Sequence, residues 1–224
     1  SETLALSGSG TLADKHVGSG KAVNVTGLTL GDGSGLASNY TFTGGTHTAD
    51  IIALGINVAA SGINKVYDRN VNAAVTLASG GVISGDVVNF TNASATFNDK
   101  NVGTGKTVSV AGIAAGGTDS GNYTLNNTTA STTADISALA ITGNVTAANK
   151  TYDATTAAAL TSRTLIGAIV GDDITYSGGS ATFSNKNVGN GKTVTATGLS
   201  LLGLVAGNYT VNSKSRPLEV GMCF

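Results

Sequence analysis

The feature that most constrains this chain is an internal repeat with a period of about 85 residues. The segment Phe97–Val108 returns 86 residues later as Phe183–Val194, and a related copy lies at Leu12–Val23. Three further markers keep the same period, namely Asn-Tyr-Thr at 39–41, 122–124 and 208–210, Ala-Asp-Ile at 49–51 and 134–136, and Lys-x-Tyr-Asp at 65–68 and 150–153. The sequence therefore predicts a series of similar units.

These markers divide the chain into four parts. They are a partial repeat at 1–54, a complete repeat at 55–139, a repeat that lacks its last strand at 140–214, and an atypical tail at 215–224. The tail holds the only Pro, Met and Cys, so a cloning scar or frame artefact is favoured over a native terminus. The chain looks like an excerpt of a longer array, and unit ends at Lys-x-Tyr-Asp or at Gly85-Asp86 are both arguable.

The local pattern within a unit is that of β-strands. Val194 and Ala196 alternate with Thr193, Thr195 and Thr197, and this period of two predicts a strand with one buried face. The preceding Asn-Val-Gly-x-Gly predicts a hairpin connection. A unit of this length exceeds one turn of a β-helix and predicts an all-β fold of Ig-like β-sandwich repeats, with a ubiquitin-like β-grasp as the alternative.

The composition of the chain argues against several classes of function. Charged residues make up 11% of the chain and the net charge is −1, which argues against a nucleic-acid groove or a polybasic membrane surface. No apolar run approaches the ~18–20 residues of a membrane span. The single Cys excludes a disulfide within one chain and a Cys-based zinc site.

The aromatic residues recur with the repeat, which predicts a role in packing. A ligand platform would give one aromatic cluster in one copy, whereas a packing requirement returns in every copy. Core positions are therefore favoured over a sugar- or base-stacking surface. The recurring aromatics are Tyr67 with Tyr152, Phe97 with Phe183, and Tyr40 with Tyr123 and Tyr209.

Catalytic motifs are not supported. Gly-Lys-Thr at 105–107 and 191–193 resembles the end of a phosphate-binding loop, but Lys100 and Lys186 stand where a Gly is needed and a strand pattern follows. His16 and His47 do not recur and are expected to be surface loop residues. Isolated Asp residues are expected to cap turns rather than bind calcium. We expect no enzyme activity, no cofactor and no metal.

The Lys-x-Tyr-Asp marker pairs opposite charges around a bulky ring. Lys65 with Asp68 and Lys150 with Asp153 are expected to form local ion pairs. The alternative is a covalent link from the Lys to an Asn or Asp, of the kind found in some surface-protein stalks.

The combination of Lys-x-Tyr-Asp, Phe-x-x-Lys-Asn-Val-Gly-x-Gly-Lys-Thr-Val, Gly-Asn-Tyr-Thr and Thr-Ala-Asp-Ile resembles the YDG/MBG-type repeats of large bacterial surface adhesins. These adhesins are filamentous-haemagglutinin-like and two-partner-secreted, and the resemblance covers roughly residues 1–214. It implies a secreted or cell-surface location, a repetitive stalk and no catalytic residues. The Gly of Tyr-Asp-Gly is replaced by Arg69 and Ala154, which weakens the expectation of a tight turn there.

We therefore expect a structural stalk whose partners are its own neighbouring repeats. Residues 134–141 are strand-like, so the joints should be short and stiff and give a rod that projects a distal binding region. The alternative is an adhesive module that itself binds a host glycan or protein, in which case non-recurring surface residues should cluster. An ice-binding Thr array is a weaker option, because no long Thr ladder stays in register.

Asn39, Asn122 and Asn208 form Asn-x-Ser/Thr sequences at one repeat position. A chain rich in Asn and Thr produces this tripeptide by chance, yet the recurrence supports the hypothesis that they are glycosylation acceptors. If the following Tyr points inward, each Asn side chain should point outward.

Overall fold

The computed structural model describes residues 1–43, 46–212 and 218–220 and is built from β-strands. The prediction of an all-β fold is confirmed. Within these residues the helical segments are three single turns of 3-10 helix, at Ala37–Asn39, Ser120–Asn122 and Ala206–Asn208. The β-grasp alternative requires a packed α-helix, which this part of the chain lacks.

The first repeat forms one antiparallel sheet in the order β1-β2-β3. Its strands are β1 (Leu4–Leu12), β2 (Gly18–Asp32) and β3 (His47–Ile51). Leu12 pairs with Val23, so the segment between β1 and β2 is the hairpin connection that the Gly-rich motif predicts. His16 is exposed in that loop as expected, whereas His47 is exposed as the first residue of β3 and not in a loop.

The middle repeat contains ten short strands. They are β4 (Leu54–Ile56), β5 (Ala59–Ile63), β6 (Lys65–Val66), β7 (Ala74–Ala78), β8 (Asn89–Thr91), β9 (Ser94–Phe97), β10 (Gly103–Ala111), β11 (Ala114–Gly116), β12 (Tyr123–Leu125) and β13 (Thr129–Ser137). One sheet has the order β6-β13-β10-β9, and three pairs are β11-β8, β12-β4 and β5-β7. The pairs β12-β4 and β13-β6 are parallel.

The third repeat forms two sheets, in the orders β16-β14-β19 and β15-β17-β18-β20. Its strands are β14 (Leu139–Ala147), β15 (Ala157–Ala158), β16 (Leu160–Ile166), β17 (Thr175–Phe183), β18 (Lys192–Leu202), β19 (Tyr209–Asn212) and β20 (Leu218–Val220). The parallel pair β14-β19 aligns Leu139 with Tyr209.

The strand β20 lies in the atypical tail, outside the predicted repeat at 140–214. It pairs antiparallel with β18, with Val194 opposite Leu218, where the first repeat pairs Val23 with His47. The pairing uses backbone groups alone, so an edge can accept a segment of unrelated sequence. The rest of the atypical tail, at 215–217 and 221–224, lies outside the described residues.

Contacts within the chain group into two units. The first unit comprises 1–60, 77–93 and 111–130, and the second comprises 61–76, 94–110 and 131–224. The middle repeat contributes to both units. The junction between the first and second repeats therefore lies inside the first unit, and the junction between the second and third repeats lies inside the second.

The core follows the strand alternation. In β10, Val108 and Val110 are buried while the intervening Ser109 is exposed. Phe183 and Val194 form a buried cluster with Ala181 in the third repeat. The period of two in the sequence therefore identified the buried faces of these strands.

Burial of the recurring aromatics is only partly as expected. Tyr67, Phe97, Tyr123, Phe183 and Tyr209 are buried. The expectation is wrong for two others, because Tyr40 is 46% exposed and Tyr152 is 53% exposed. The contacts between repeats, described below, explain the difference.

The tight turn after each Lys-x-Tyr-Asp segment forms although the residue that follows the Asp is not a glycine. Arg69 and Ala154 have φ values of 70° and 63°, and they are the non-glycine residues with positive φ in the described part of the chain. The left-handed conformation costs an L-residue roughly 1–2 kcal/mol. The expectation of a weakened turn is therefore wrong: the turn persists and the side chain carries strain.

Ala154→Gly should raise the free energy of unfolding by about 0.5–1 kcal/mol, because glycine adopts this backbone conformation without a Cβ clash. Urea denaturation of the whole chain measures the change. Ala157→Gly is the matched control: this exposed alanine lies in β15, where glycine should lower the free energy of unfolding. Equal effects from the two substitutions would contradict the strain at Ala154.

Candidate functional site: the joints between repeats

Each single-turn helix ends on the recurring Asn of Asn-Tyr-Thr, and the following Tyr returns to extended backbone. We call this Asn-Tyr pair the corner of a repeat. Because the backbone conformation changes between the two residues, the Asn and Tyr side chains point in different directions and contact different groups. In the second and third repeats the corner Asn bonds to the preceding repeat, and the corner Tyr bonds to a carboxylate that the preceding repeat also contacts.

The first joint lies inside the first unit. The Oδ1 atom of Asn122 accepts a hydrogen bond of 3.0 Å from the backbone N–H of Val17, in the hairpin loop of the first repeat. The side-chain amide nitrogen of Asn122 lies 3.3 Å from Nδ1 of His16. One Asn side chain thus binds both the backbone and a side chain of the neighbouring loop.

The second joint repeats this contact inside the second unit. The Oδ1 atom of Asn208 accepts a hydrogen bond of 2.8 Å from the N–H of Val102, and its amide donates one of 3.1 Å to Asn101. Asn208 is only 4% exposed. The expectation that all three candidate glycosylation residues face outward is therefore wrong for Asn208; Asn122 is half-buried and Asn39 is exposed.

The Tyr of each corner connects a loop amide to a carboxylate. The hydroxyl of Tyr123 accepts from Ile83 N–H at 3.1 Å and donates to Asp86 at 2.7 Å. The hydroxyl of Tyr209 accepts from Ile169 N–H at 3.2 Å and donates to Asp172 at 2.5 Å. A buried Tyr needs such partners for its hydroxyl, and here the partners recur with the ring.

The preceding repeat supplies further donors to the same carboxylates. In the first joint Nζ of Lys15 lies 2.5 Å from Asp86 and 3.0 Å from Asp119. The first joint thus uses a Lys of the hairpin loop to bind the carboxylate.

In the second joint the Lys-x-Tyr-Asp segment reaches Asp172. The Tyr67 hydroxyl donates to Asp172 at 2.9 Å, and Nε of Arg69 lies 3.1 Å from the same carboxylate. The Tyr67 ring packs edge-on against Tyr209, with centroids 5.4 Å apart. Tyr67 is 2% exposed because the third repeat covers it, whereas Tyr152 at the equivalent position is 53% exposed.

The electrostatics favour an ionised carboxylate at the second joint. Burial alone would raise the pKa of Asp172, but the hydrogen bonds from Tyr209 and Tyr67 and the charge of Arg69 outweigh it and lower the pKa below its usual value of 3.8. Burial and the neighbouring Asp172 raise the pKa of Tyr209 to about 12. In the first joint Lys15 and then Tyr123 lower the pKa of Asp86.

The Lys-x-Tyr-Asp segments form the local ion pairs that the sequence predicts. Nζ of Lys65 lies 2.7 Å from Asp68 and 5.5 Å from the centroid of the Phe97 ring. Nζ of Lys150 lies 2.7 Å from Asp153 and 5.7 Å from the centroid of the Phe183 ring. The covalent link stays a hypothesis.

The pKa of Asp153 is lowered to about 2, first by its hydrogen bond from Lys150 and then by those from Thr155. The Lys150 ammonium also donates to the Thr155 carbonyl at 2.9 Å. Lys150 therefore fixes the turn that contains the strained Ala154.

Sequence reasoning missed the carboxylates at the centre of the joints. It assigned Asp86 and Asp172 to turns, although they recur 86 residues apart within Gly-Asp pairs. It also missed Asp50 and Asp135 of the Ala-Asp-Ile markers, which accept hydrogen bonds from the N–H groups of glycines 20 and 105. Recurrence of Asp was the signal in both cases.

The contacts described at the two joints connect groups of the protein to one another. Among residues 1–43, 46–212 and 218–220, no three His, Cys, Asp or Glu side chains are grouped as a metal site would require. In the same part of the chain, no helix has the length and apolar character to cross a membrane.

A family model described as the YDG domain matches residues 1–49, 53–134 and 132–216, which is nearly the whole chain in three copies. No curated protein and no solved structure matches.

Asn208→Ala should lower the free energy of unfolding by about 2 kcal/mol, because it leaves the Val102 N–H and Asn101 without their partner. Chemical denaturation measures this. Asn39→Ala removes the same side chain at an exposed corner and should change stability by less than about 0.5 kcal/mol. Equal losses in the two variants would show that the Asn acts within its own repeat and not across the joint.

The second joint should weaken in acid. A lowered pKa means that the ionised Asp172 stabilises the folded state above about pH 4, and that this contribution is lost as the pH falls through the folded-state pKa. The difference in urea midpoint between wild type and Asp172→Asn should be constant from about pH 5 to pH 9 and should shrink below about pH 4. A difference that stays constant down to about pH 2 would contradict this.

Proposed function

The chain belongs to the YDG-domain family, and we propose that its repeats are spacer units in the stalk of a secreted bacterial surface adhesin. Their role is to join end to end and to hold a distal binding region away from the cell. The observation that carries this proposal is that both joints use the same repeat positions for the bonds of the corner Asn and the corner Tyr. Bonds that recur at both junctions indicate that the positions which form them serve to join one repeat to the next.

The connections between repeats support stiff joints. One residue separates β13, which ends at Ser137, from β14, which begins at Leu139. Two residues separate β3, which ends at Ile51, from β4, which begins at Leu54. Because so little chain is free and side chains bond across each junction, rotation about the linker breaks several hydrogen bonds at once.

The proposed location, outside the cell, suits the chemistry of the joints. They depend on hydrogen bonds, an aromatic contact and ion pairs, and the shifted pKa values of Asp172 and Tyr209 keep both groups in their bonding form across the neutral range. The partners of each repeat are its neighbours. No reducing environment or metal is needed for these contacts.

A second candidate function is an adhesive module in the third repeat, and a specific observation favours it. Val170 and Leu204 are 92% and 93% exposed, and the equivalent residues of the second repeat are the polar Ser84 and Thr118. Their loops are adjacent, because the Leu204 N–H donates to Asp173 at 3.0 Å. Exposed apolar residues that do not recur are what a binding surface for a host protein or glycan requires.

A binding experiment with cultured host cells separates the two functions. A spacer predicts that the purified labelled chain does not bind, while antibody raised against it labels intact bacteria that make the parent protein. An adhesive module predicts saturable binding, which Val170→Ser with Leu204→Thr should reduce at least tenfold. These two substitutions copy the second repeat, so they preserve the fold. Antibody that labels only lysed bacteria would contradict the surface location for both.

A further inference from the structure

The hairpin loop between β17 and β18 contains the sequence Gly-Asn-Gly at 189–191. Of the asparagines in the chain, Asn190 is the one that a glycine follows. The equivalent residues of the first and second repeats are Ser19 and Thr104. An Asn-Gly pair therefore occurs at the loop tip of the third repeat, and the other two tips lack the side-chain amide.

The strands hold this tip in the same way in the second and third repeats. The Ser184 N–H donates to the Thr193 carbonyl at 2.9 Å, and the Asn98 N–H donates to the Thr107 carbonyl at 3.1 Å. These bonds close the base of each loop. The residues at the tip, among them Asn190, are left outside the pairing of the two strands.

The tip faces solvent even where a following repeat is in place. Asn190 is exposed, and so is Thr104 at the equivalent position of the second repeat. The third repeat contacts that same loop of the second repeat, because Val102 donates to Asn208, and it still leaves Thr104 exposed. The exposure of this position is therefore a property of the tip and does not depend on what lies beyond the third repeat.

The residue after Asn190 leaves its own backbone nitrogen accessible. Gly191 has a φ of 61°, and no heavy atom lies within 4 Å of the point where a Cβ would stand. A glycine has no side chain to shield the nitrogen, and it has the conformational freedom that a ring closure at this bond needs. Attack of this nitrogen on the Cγ atom of Asn190 would close a five-membered ring.

We propose that Asn190 is a site of spontaneous deamidation, which converts it into isoaspartate and aspartate. The backbone N–H of Gly191 gives its proton to solvent, and the nitrogen forms a bond to the Asn190 Cγ. The side-chain amide takes a proton from solvent and leaves as ammonia, so that a succinimide remains. Water then opens the ring: addition at the backbone carbonyl gives isoaspartate, and addition at the side-chain carbonyl gives aspartate. Water is the only co-reactant.

The product changes the loop in two ways. It adds one negative charge to a chain whose formal net charge is −1, and the isoaspartate form adds a methylene group to the backbone. The equivalent loop of the second repeat takes part in a joint through Val102, so the change falls in a type of loop that joins repeats. This inference depends on the chemistry of the loop and not on the proposed adhesin stalk, so the failure of one leaves the other standing.

Incubation of the whole folded chain in water enriched in heavy oxygen, at neutral and at alkaline pH, followed by peptide mapping, tests the inference. The heavy oxygen marks only residues that react during the incubation. Asn190 should lose its amide and gain the label, with isoaspartate in excess, and the rate should rise with hydroxide concentration. Asn185 and Asn187 are the internal controls, because they are exposed in the same loop but precede Lys and Val, and they should keep their amides.

Asn190→Thr is the matched variant. It copies Thr104 of the second repeat, so it preserves the fold, and it should abolish the labelling of wild type by an isoaspartyl methyltransferase. The inference is overturned if Asn190 keeps its amide in the folded chain and reacts only after unfolding in urea. It is also overturned if Asn185 or Asn187 reacts as fast as Asn190, or if the variant is methylated as strongly as wild type.

Discussion

The second joint depends on one buried carboxylate. Asp172 accepts hydrogen bonds from Tyr209 of its own repeat and from Tyr67 of the preceding one, and it pairs with Arg69. A buried charge is costly unless hydrogen bonds and an opposite charge satisfy it. Because part of that satisfaction comes from the neighbouring repeat, the packing of the third repeat and its attachment to the second are coupled. Removing the neighbour would leave the carboxylate with fewer partners.

The two joints use the same Asn, Tyr and Asp positions, but a different cationic side chain pairs with the Asp in each joint. Asp86 is bound by Lys15 from the hairpin loop, and Asp172 is bound by Arg69 from the strained turn. The Asn contact varies less, since Asn122 and Asn208 both accept a backbone N–H from a valine of the preceding loop. A backbone donor is present whatever side chain the neighbour carries. The joint can therefore tolerate sequence variation between repeats and still close in the same way.

The corner explains why recurrence is an ambiguous signal. Tyr123 and Tyr209 recur because each is buried and bonded in its joint, whereas Tyr40 at the same position is exposed. Asn208 was expected to face outward because the next side chain faces inward, a rule that holds along a strand. The single turn of 3-10 helix before the Tyr breaks that rule, so both side chains of the corner are buried in the second joint.

The period, the all-β fold, the hairpin at Asn-Val-Gly-x-Gly and the buried face of β10 can be predicted from the sequence, because they depend on local alternation and on which residues tolerate a turn. The ion pair of Lys65 with Asp68 can be predicted in the same way, because the two residues lie three positions apart. The burial of Tyr67, the exposure of Tyr152 and the place of Asp172 at the centre of a joint follow from tertiary contacts alone. Those properties depend on which groups of a neighbouring repeat, about 100 residues away in the chain, pack against these residues in the folded protein. The local sequence pattern does not predict these contacts, because burial and pairing across a joint arise only when both repeats have folded.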